Sequence, residues 1–448
     1  MRFLVVTYYW PPAGGPGVQR WLKTSKALTA LGHDVEVLTV SPEKATYPLL
    51  DASLEVEAKD LPVHRTPARD WFGAYQKLTR RKEVPFSGFA NQAGRPGPIQ
   101  RLSRFIRGNF FLPDPRRGWN GFALGKARQL HARLPFDVVI TTGPPHSTHL
   151  IGRALKRQQG IAWWADFRDP WTDIYYYDQF YPTPWARAHD ASLERSVLAE
   201  ADRVLTVSKD LVRLFEEKVP GVRPRCHVLP NGYDPSDFSE GIEPSNEVFT
   251  LTYTGTLTLD YPVSRVEAAL VDVLESGASL RLRLVGRPAN EFVASMEALQ
   301  KRFPHFQLEN LGYRPHSESV GYLQTADALM LLIPDLPNNQ GILTGKIFEY
   351  LGSGRPIWGF GPTDGDAQEI LLQSQAGSLF ESASEASHIL QSWIASCPAG
   401  ASPEARAAYT RMGLAEKLVG LRARGLGKTP KSPGAHRSSN TKFNGKRE

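Results

Sequence analysis

The sequence predicts an α/β protein of two doubly wound domains facing each other across a cleft, and three observations carry that expectation. At 448 residues, 41% of them hydrophobic and 22% charged, the chain is long enough for two ordinary cores and long for one. Its first 40 residues read as strand, glycine-rich turn, helix and strand, the opening of a doubly wound sheet. The same alternation starts again after a polar connection that ends at Phe238.

Each element has a local reason. Arg2 to Tyr8 is an apolar strand, and Trp10 to Gly17 is a Pro/Gly-rich turn. Val18, Trp21, Leu22, Ser25, Leu28 and Leu31 then recur at helical spacing until Gly32-His33 stops them. Asp34 to Val40, Asp137 to Thr142, Ile161 to Asp166, Arg203 to Val207 and His227 to Pro230 are expected strands, alternating with helices Ser147 to Gln159, Trp185 to Ala201 and Lys209 to Lys218. These make a first domain, residues 1–238. In a second domain, 239–402, strands are expected at Phe249 to Thr254, Leu280 to Val285, Gln307 to Leu311, Ala328 to Ile333 and Pro356 to Phe360. A helical stretch over 403–424 follows. Residues 425–448, rich in Gly, Pro, Ser, Lys and Asn, have the composition of a disordered basic tail.

Composition narrows the function. The longest apolar runs are strand-length, well short of the roughly 20 residues that cross a bilayer, and Arg2 precedes only a short apolar stretch before Pro11-Pro12. A cytoplasmic protein without a secretory signal is expected. Cys226 and Cys397 lack the spacing of a zinc site or disulfide framework and read as small buried side chains. The formal charge of +7 is regional: 76–119 holds ten Lys or Arg against Glu83 and Asp114, and 425–448 holds six against Glu448. Such a surface calls for an anionic partner. Ile99, Leu102, Phe105 and Ile106 fall on one helical face with Arg101, Arg104 and Arg107 toward the other, the layout of a helix lying on an anionic membrane. The alternative is that the apolar face packs into the first domain and the arginines are solvated. Phe86, Phe89, Phe105, Phe110, Phe111 and Trp119 interleave with the basic residues in a way single-stranded nucleic acid would also accept, though nucleic acid is the less favoured partner.

Ligands of open α/β sheets bind beyond the carboxyl ends of the strands, so the informative residues follow strands. In Thr344-Gly345-Lys346-Ile-Phe-Glu349, Gly345 allows close backbone approach and a helix starting there aims free amides at a diphosphate. Lys346 adds charge, and Glu349 can accept from a ribose diol. An ordinary helix with Lys346 and Glu349 on its solvent face is the competing reading.

This segment resembles the donor-binding helix of glycosyltransferase family 4. Tyr8-Tyr9-Trp10-Pro11-Pro12 with Gly14, Gly15 and Gly17 resembles that family's first glycine loop. Thr142-Gly143-Pro144-Pro145-His146-Ser147 and Asp166-Phe167-Arg168-Asp169-Pro170-Trp171 resemble a subgroup found in polysaccharide assembly, and Val228-Leu229-Pro230-Asn231-Gly232 resembles the end of its first domain. The resemblance covers residues 1–380 and implies the GT-B fold, two Rossmann-like domains, with transfer of a sugar from a nucleotide-sugar donor to a lipid-linked or polysaccharide acceptor. Retention at the anomeric carbon is implied with it. The donor would be held by Gly15, Gly17, Gly255, Thr256, Tyr313, Gly345, Lys346 and Glu349, with Tyr313 where the base stacks or else an ordinary core or surface tyrosine. His146 and Asp169 would be catalytic. An imidazole at 146 can hydrogen-bond or move a proton near neutral pH; otherwise it is a helix N-terminal residue with Ser147 as cap. Asp166, Arg168 and Asp169 orient the acceptor or form a self-satisfied group.

The chain departs from the family pattern in two places. The strand end Tyr253-Thr254-Gly255-Thr256 lacks the family's Arg and Lys, for which Arg265 is a weak substitute, and Gly341 stands where an acidic residue contacts the sugar, with Gln340 beside it. No Asp-x-Asp pair is read at a strand end, so metal independence is expected, and no cofactor, since the nucleotide sugar is a substrate. Two other functions fit less of the sequence. A nucleotide-sugar epimerase on the same architecture would share the donor site but has no use for the basic surface, and the third class is a non-enzymatic binder of nucleotide sugar or nucleic acid.

Overall fold

A computed structural model describes residues 1–423 except 46, 48, 70–96, 243 and 245. The Lys77 to Arg95 part of the basic segment and the 425–448 tail therefore lie outside the described residues.

The first sheet holds β1 (Arg2–Val6), β2 (Asp34–Val40), β3 (Val63–Thr66), β4 (Val138–Gly143), β5 (Ala162–Phe167), β6 (Arg203–Thr206) and β7 (Cys226–Val228) in the order β3-β2-β1-β4-β5-β6-β7. The second holds β8 (Thr250–Leu257), β9 (Leu280–Pro288), β10 (Phe306–Gly312), β11 (Ala328–Leu332), β12 (Ile357–Phe360) and β13 (Gly377–Phe380) in the order β10-β9-β8-β11-β12-β13. Every pairing is parallel. Both sheets are thus Rossmann-like and doubly wound, each reversing its winding between its first and fourth strands, where a ligand crevice opens at the carboxyl ends. Central strands such as Arg2–Val6 and Ala328–Leu332 are buried throughout, which is why they read as continuous apolar runs. The edge strands β3 and β13 were not anticipated. Each is four residues long, VHRT and GSLF, too short to show a period.

The expected helix over 403–424 is two helices, Pro403–Ala407 and Arg411–Ala423. The second packs on the first sheet's side: Leu414, Ala415, Leu418 and Leu421 share a core with Trp21, Leu22 and Leu28 of the Pro16–Ala30 helix. The chain end therefore returns from the second domain to the first. Gly232, at φ +69, sits under this return, and a Cβ there would lie 2.6 Å from the Tyr409 carbonyl oxygen.

The helix Pro98–Phe110 turns Leu102 and Phe105 outward, 60% and 38% exposed, so these two do not pack into the first domain; the arginine side departs from the expected layout, since Arg104 is buried and Arg107 lies over the Phe180 ring at 4.4 Å. A helical wheel separates two faces without saying which one packs. Here Gly108 decides: a Cβ there would meet the Phe180 carbonyl oxygen at 2.4 Å, so the face with Arg104, Gly108 and Asn109 is inward. Cys397 is exposed rather than buried, and Cys226 is half-buried.

Candidate active site

The two sheets enclose a cavity of about 490 Å³ at the carboxyl ends of their strands. The first domain supplies Gly15 and Gly17 from the loop after β1, His146 from the turn after β4, and Arg168 and Asp169 from the loop after β5; the second closes it with Leu343 and Gly345. Five of the expected residues, Gly15, Gly17, His146, Asp169 and Gly345, thus meet on one cavity.

His146 opens a short 3-10 turn, His146–Thr148, ahead of the helix His149–Gln159. Ser147 does not cap this helix. Its N–H and hydroxyl donate to Asp114, both at 2.8 Å, so the turn is stapled to the loop before Trp119. The His146 ring stacks on Trp171 at 5.0 Å with 8° between planes, and its buried Nδ1 has no hydrogen-bond partner among the described residues. Burial, then the neighbouring His149 and Arg168, hold its pKa well below the usual value. The ring is therefore neutral near pH 7, able to accept a proton or a hydrogen bond. Beneath it His149, which the sequence reading passed over, is fully buried with Nδ1 3.0 Å from Thr141 Oγ1, and burial pushes it down to about 3. The i, i+3 spacing of the two histidines was the only sequence signal for it.

The group Asp166, Arg168, Asp169 divides by role. Asp166 is structural: it accepts from Arg20 Nη2 and Trp21 Nε1, each at 2.7 Å, and from Thr142 Oγ1 at 2.8 Å. Arg168 donates from Nε to the Gly143 carbonyl at 3.1 Å and from Nη2 to the Pro144 carbonyl at 2.7 Å. Its Nη1 passes so close to Gly17 that a Cβ there would lie 1.5 Å away, which explains the glycine. Asp169 makes no hydrogen bond among the described residues, and burial followed by the opposing pull of Arg168 leaves its pKa raised.

On the second domain, the helix Gly345–Ser353 begins with Thr344 as N-cap, but the Thr344 side chain makes no cap bond and its buried Oγ1 has no partner among the described residues, while the Ile347 N–H turns back to the Thr344 carbonyl at 3.3 Å. A helix start without a side-chain cap can receive an anion. Lys346 Nζ lies 2.6 Å from the Tyr253 hydroxyl and 3.4 Å from the Thr256 carbonyl, over the rings of Tyr253 at 4.5 Å and Tyr261 at 5.3 Å. Gly255, at φ +99, makes room for it, since a Cβ there would be 2.7 Å from the lysine's Cε. Burial lowers Lys346 to about 8. Lys346 thus lies against the strand end where the sequence lacks a lysine, whereas Arg265 is engaged with Asp335. Glu349, one turn on, faces His316 at 3.4 Å, and that contact raises the histidine's pKa. Tyr313 stands apart beyond β10, 71% exposed, with Arg287 over its ring at 5.6 Å. Gln340 is exposed. Gly341 packs on the first domain, where a Cβ would lie 2.8 Å from Asp210 Oδ2.

Asp364-Gly365-Asp366, after β12, is an Asp-x-Asp pair that the sequence reading missed. Asp366 spends both oxygens on the backbone N–H groups of Lys209 and Asp210, at 3.1 and 3.0 Å, joining the two domains. No group of three or more His, Cys, Asp or Glu is arranged for a metal ion among the described residues.

Comparisons with known proteins agree with this architecture. Residues 14–232 match the glycosyl transferase 4-like domain family. No curated protein matches. Among solved structures, HepE of Anabaena in complex with UDP is similar over 94% of this chain and 100% of its own at 12% identity, with a TM-score of 0.58. A glycosyltransferase of Rickettsia africae is similar over 96% and 100% at 11% identity and TM-score 0.58. The lipopolysaccharide outer core galactosyltransferase WaaB in its apo form is similar over 94% and 100% at 10% and 0.56. Residues 14–232 thus match the glycosyl transferase 4-like domain, and the chain as a whole has the GT-B fold that these structures share.

Proposed function

We propose that the protein transfers a sugar from a nucleotide-sugar donor, held by the second domain, to an acceptor held in the cavity of the first. One observation carries the reading: the uncapped start of the Gly345 helix and the neutral His146 wall the same cavity from opposite domains. The helix start, with Lys346 beside it, suits a nucleoside diphosphate, while Glu349, released from His316, suits a ribose diol. HepE has been solved with UDP and with UDP-glucose, which supports a uridine donor here. In this reading Asp169 and His146 receive the acceptor hydroxyl, one orienting it and the other taking its proton as the new bond forms. The leaving diphosphate is stabilised by helix amides and Lys346, so the reaction runs without a metal, and retention follows the family.

The acceptor reading is lipid-linked. Leu102, Phe105, Phe110, Tyr181 and Trp185 are exposed apolar side chains on and beside the Pro98–Phe110 helix, whose inner neighbours Arg107 and Phe180 line the cavity. This rim, with exposed Arg101, suits the surface of an anionic membrane. No helix among the described residues is long and apolar enough to cross one. Phe105→Ser with Phe110→Ser should abolish sedimentation with anionic liposomes. Unchanged binding by the double variant removes the membrane role.

A thermal-shift panel of nucleotides and nucleotide sugars tests the donor. A true donor at 100 times its Kd adds about 2.7 kcal/mol to stability, and its diphosphate should then be released only when acceptor is added. Isomerised sugar without acceptor would point instead to an epimerase.

A further inference from the structure

Between Arg168 and Tyr176 the loop after β5 has neither helix nor strand, so no backbone ladder fixes it and its side chains must. Those side chains are held by the Pro184–Glu200 helix. Asp190, 2% exposed on that helix, accepts from Trp171 Nε1 at 2.8 Å with one carboxylate oxygen and from the Tyr177 hydroxyl at 3.0 Å with the other. One turn on, the buried Glu194 accepts from the Thr172 hydroxyl and from Lys218 Nζ, both at 2.6 Å, and Lys218 also pairs with Asp173. The loop is thus pinned at both its ends. Of these groups, Asp190, Trp171 and Tyr177 line the cavity that also holds His146 and Asp169.

The bond to Trp171 reaches both reacting groups of the first domain. The indole is the ring on which His146 stacks, nearly parallel at 5.0 Å, and Asp169 precedes it by two residues. A histidine ring turns readily about its outer bond, because that torsion is broad and two-fold. The stack removes this freedom only while the indole is itself fixed, and the bond from its N–H to Asp190 Oδ1 fixes it. The same indole face attracts positive charge, so it favours the imidazolium that forms when His146 takes the acceptor proton. Apolar side chains would hold two aromatic rings by packing at lower cost, since a buried carboxylate is unfavourable unless its oxygens are bonded; what the carboxylate adds is direction. We infer that Asp190 is a positioning residue for the transfer, holding the His146 ring and the Asp169 backbone in place through the Trp171 indole. The inference rests on the transferase reading above and deepens it, with Asp190 acting through Trp171 rather than on the substrate.

Proton NMR on the full chain with labelled histidine reads the stack without any ligand. The His146 ring protons, identified by their loss in His146→Ala, should be shifted upfield by the indole face in wild type. They should stay there in Asp190→Asn, whose amide oxygen still accepts from the indole, and move toward free-histidine positions in Asp190→Ala. With UDP-glucose as donor and a farnesyl diphosphate-linked glucose as acceptor, Asp190→Ala should lower kcat about 10-fold or more and Asp190→Asn less than about 3-fold, while UDP affinity by calorimetry stays within about 2-fold in both. Trp171→Phe keeps a ring without the N–H, so it should lose kcat as Asp190→Ala does, and the double variant should fall no more than about 2-fold below the worse single one. If Asp190→Ala melts early, loss of kcat in Trp171→Phe beside its retention in Asp190→Asn carries the test. Unmoved His146 resonances in Asp190→Ala, losses that multiply in the double variant, or a fall in UDP affinity matching that in kcat overturn the inference and leave the transferase reading standing. If wild type binds neither UDP nor any nucleotide sugar, the transferase reading fails instead, and the NMR comparison still decides whether Asp190 holds the ring.

Discussion

Lys346 is a lysine whose ordinary pKa of 10.5 is lowered to about 8 by burial, with Glu349 pulling the other way. A diphosphate placed beside it favours the charged form, so donor binding should be level from pH 6 to 7 and weaken as pH rises through about 8, where the free lysine has lost its proton. Calorimetry across that range should show proton uptake near pH 8 in wild type and none in Lys346→Met; a level wild-type profile contradicts the assignment. The sign for folding is the opposite. The unfolded chain holds this proton more tightly, so the burial cost is full below about pH 8 and shrinks toward 10.5. Asp166 makes the opposite case: burial pushes its carboxyl up, but Arg20 and the bonds from Trp21 and Thr142 hold it below the usual range. Arg20→Ala would leave a buried carboxylate without its cation, and urea unfolding should show a loss of about 3–5 kcal/mol. A loss under 1 kcal/mol would mean that Trp21 and Thr142 suffice. Gly17, Gly345 and His146 were legible in the sequence because each follows a strand in a Pro/Gly-rich turn. The Arg20 to Asp166 pair was not, since its members lie 146 residues apart and neither belongs to a local pattern.

The helices differ in how much of their stability is local. The Lys209–Lys218 helix has its own cap, Ser208 accepting from the Leu211 N–H at 3.2 Å, and a second one from the other domain, Asp366 on the amides of Lys209 and Asp210. Asp366→Ala should cost about 1 kcal/mol, as other caps do, and should also speed hydrogen exchange at Lys209 and Asp210, because the bond it removes spans the two domains. Exchange unchanged at those amides would show that the domains meet without it. The Arg411–Ala423 helix depends instead on tertiary burial. Leu418, 1% exposed against the first domain, should cost about 2–5 kcal/mol as Leu418→Ala, read as a fall in the urea midpoint. Helices such as Lys209–Lys218 were placed correctly from their periodicity and caps. The break between Ala407 and Arg411 was missed because it is set by a backbone pairing of Tyr233 with Tyr409 and Arg411, a contact with the far domain. The inward turn of Arg104 and Arg107 was missed for the same reason, its cause being the packing of their face on Phe180.

At the scale of the molecule, the two windings were legible because each parallel sheet is assembled from consecutive strand and helix units. What joins them was not, as the returning helix, the Asp366 cap and the packing of Gly341 on Asp210 all link residues far apart in sequence. Those links set the first-domain turn of His146 against the second-domain helix of Gly345, and the proposed function depends on that meeting. The central claim is that donor and acceptor react between these two walls. It is tested most directly by acceptor-dependent release of nucleoside diphosphate, measured for wild type, His146→Ala and Glu349→Ala with the nucleotide sugar that stabilises the protein best. The account predicts that His146→Ala lowers kcat at least 100-fold, in line with loss of a general base, while donor affinity and melting temperature stay near wild type. Glu349→Ala should weaken donor affinity by about 1–3 kcal/mol. Wild-type turnover in His146→Ala together with wild-type donor affinity in Glu349→Ala would place the chemistry elsewhere and contradict the account.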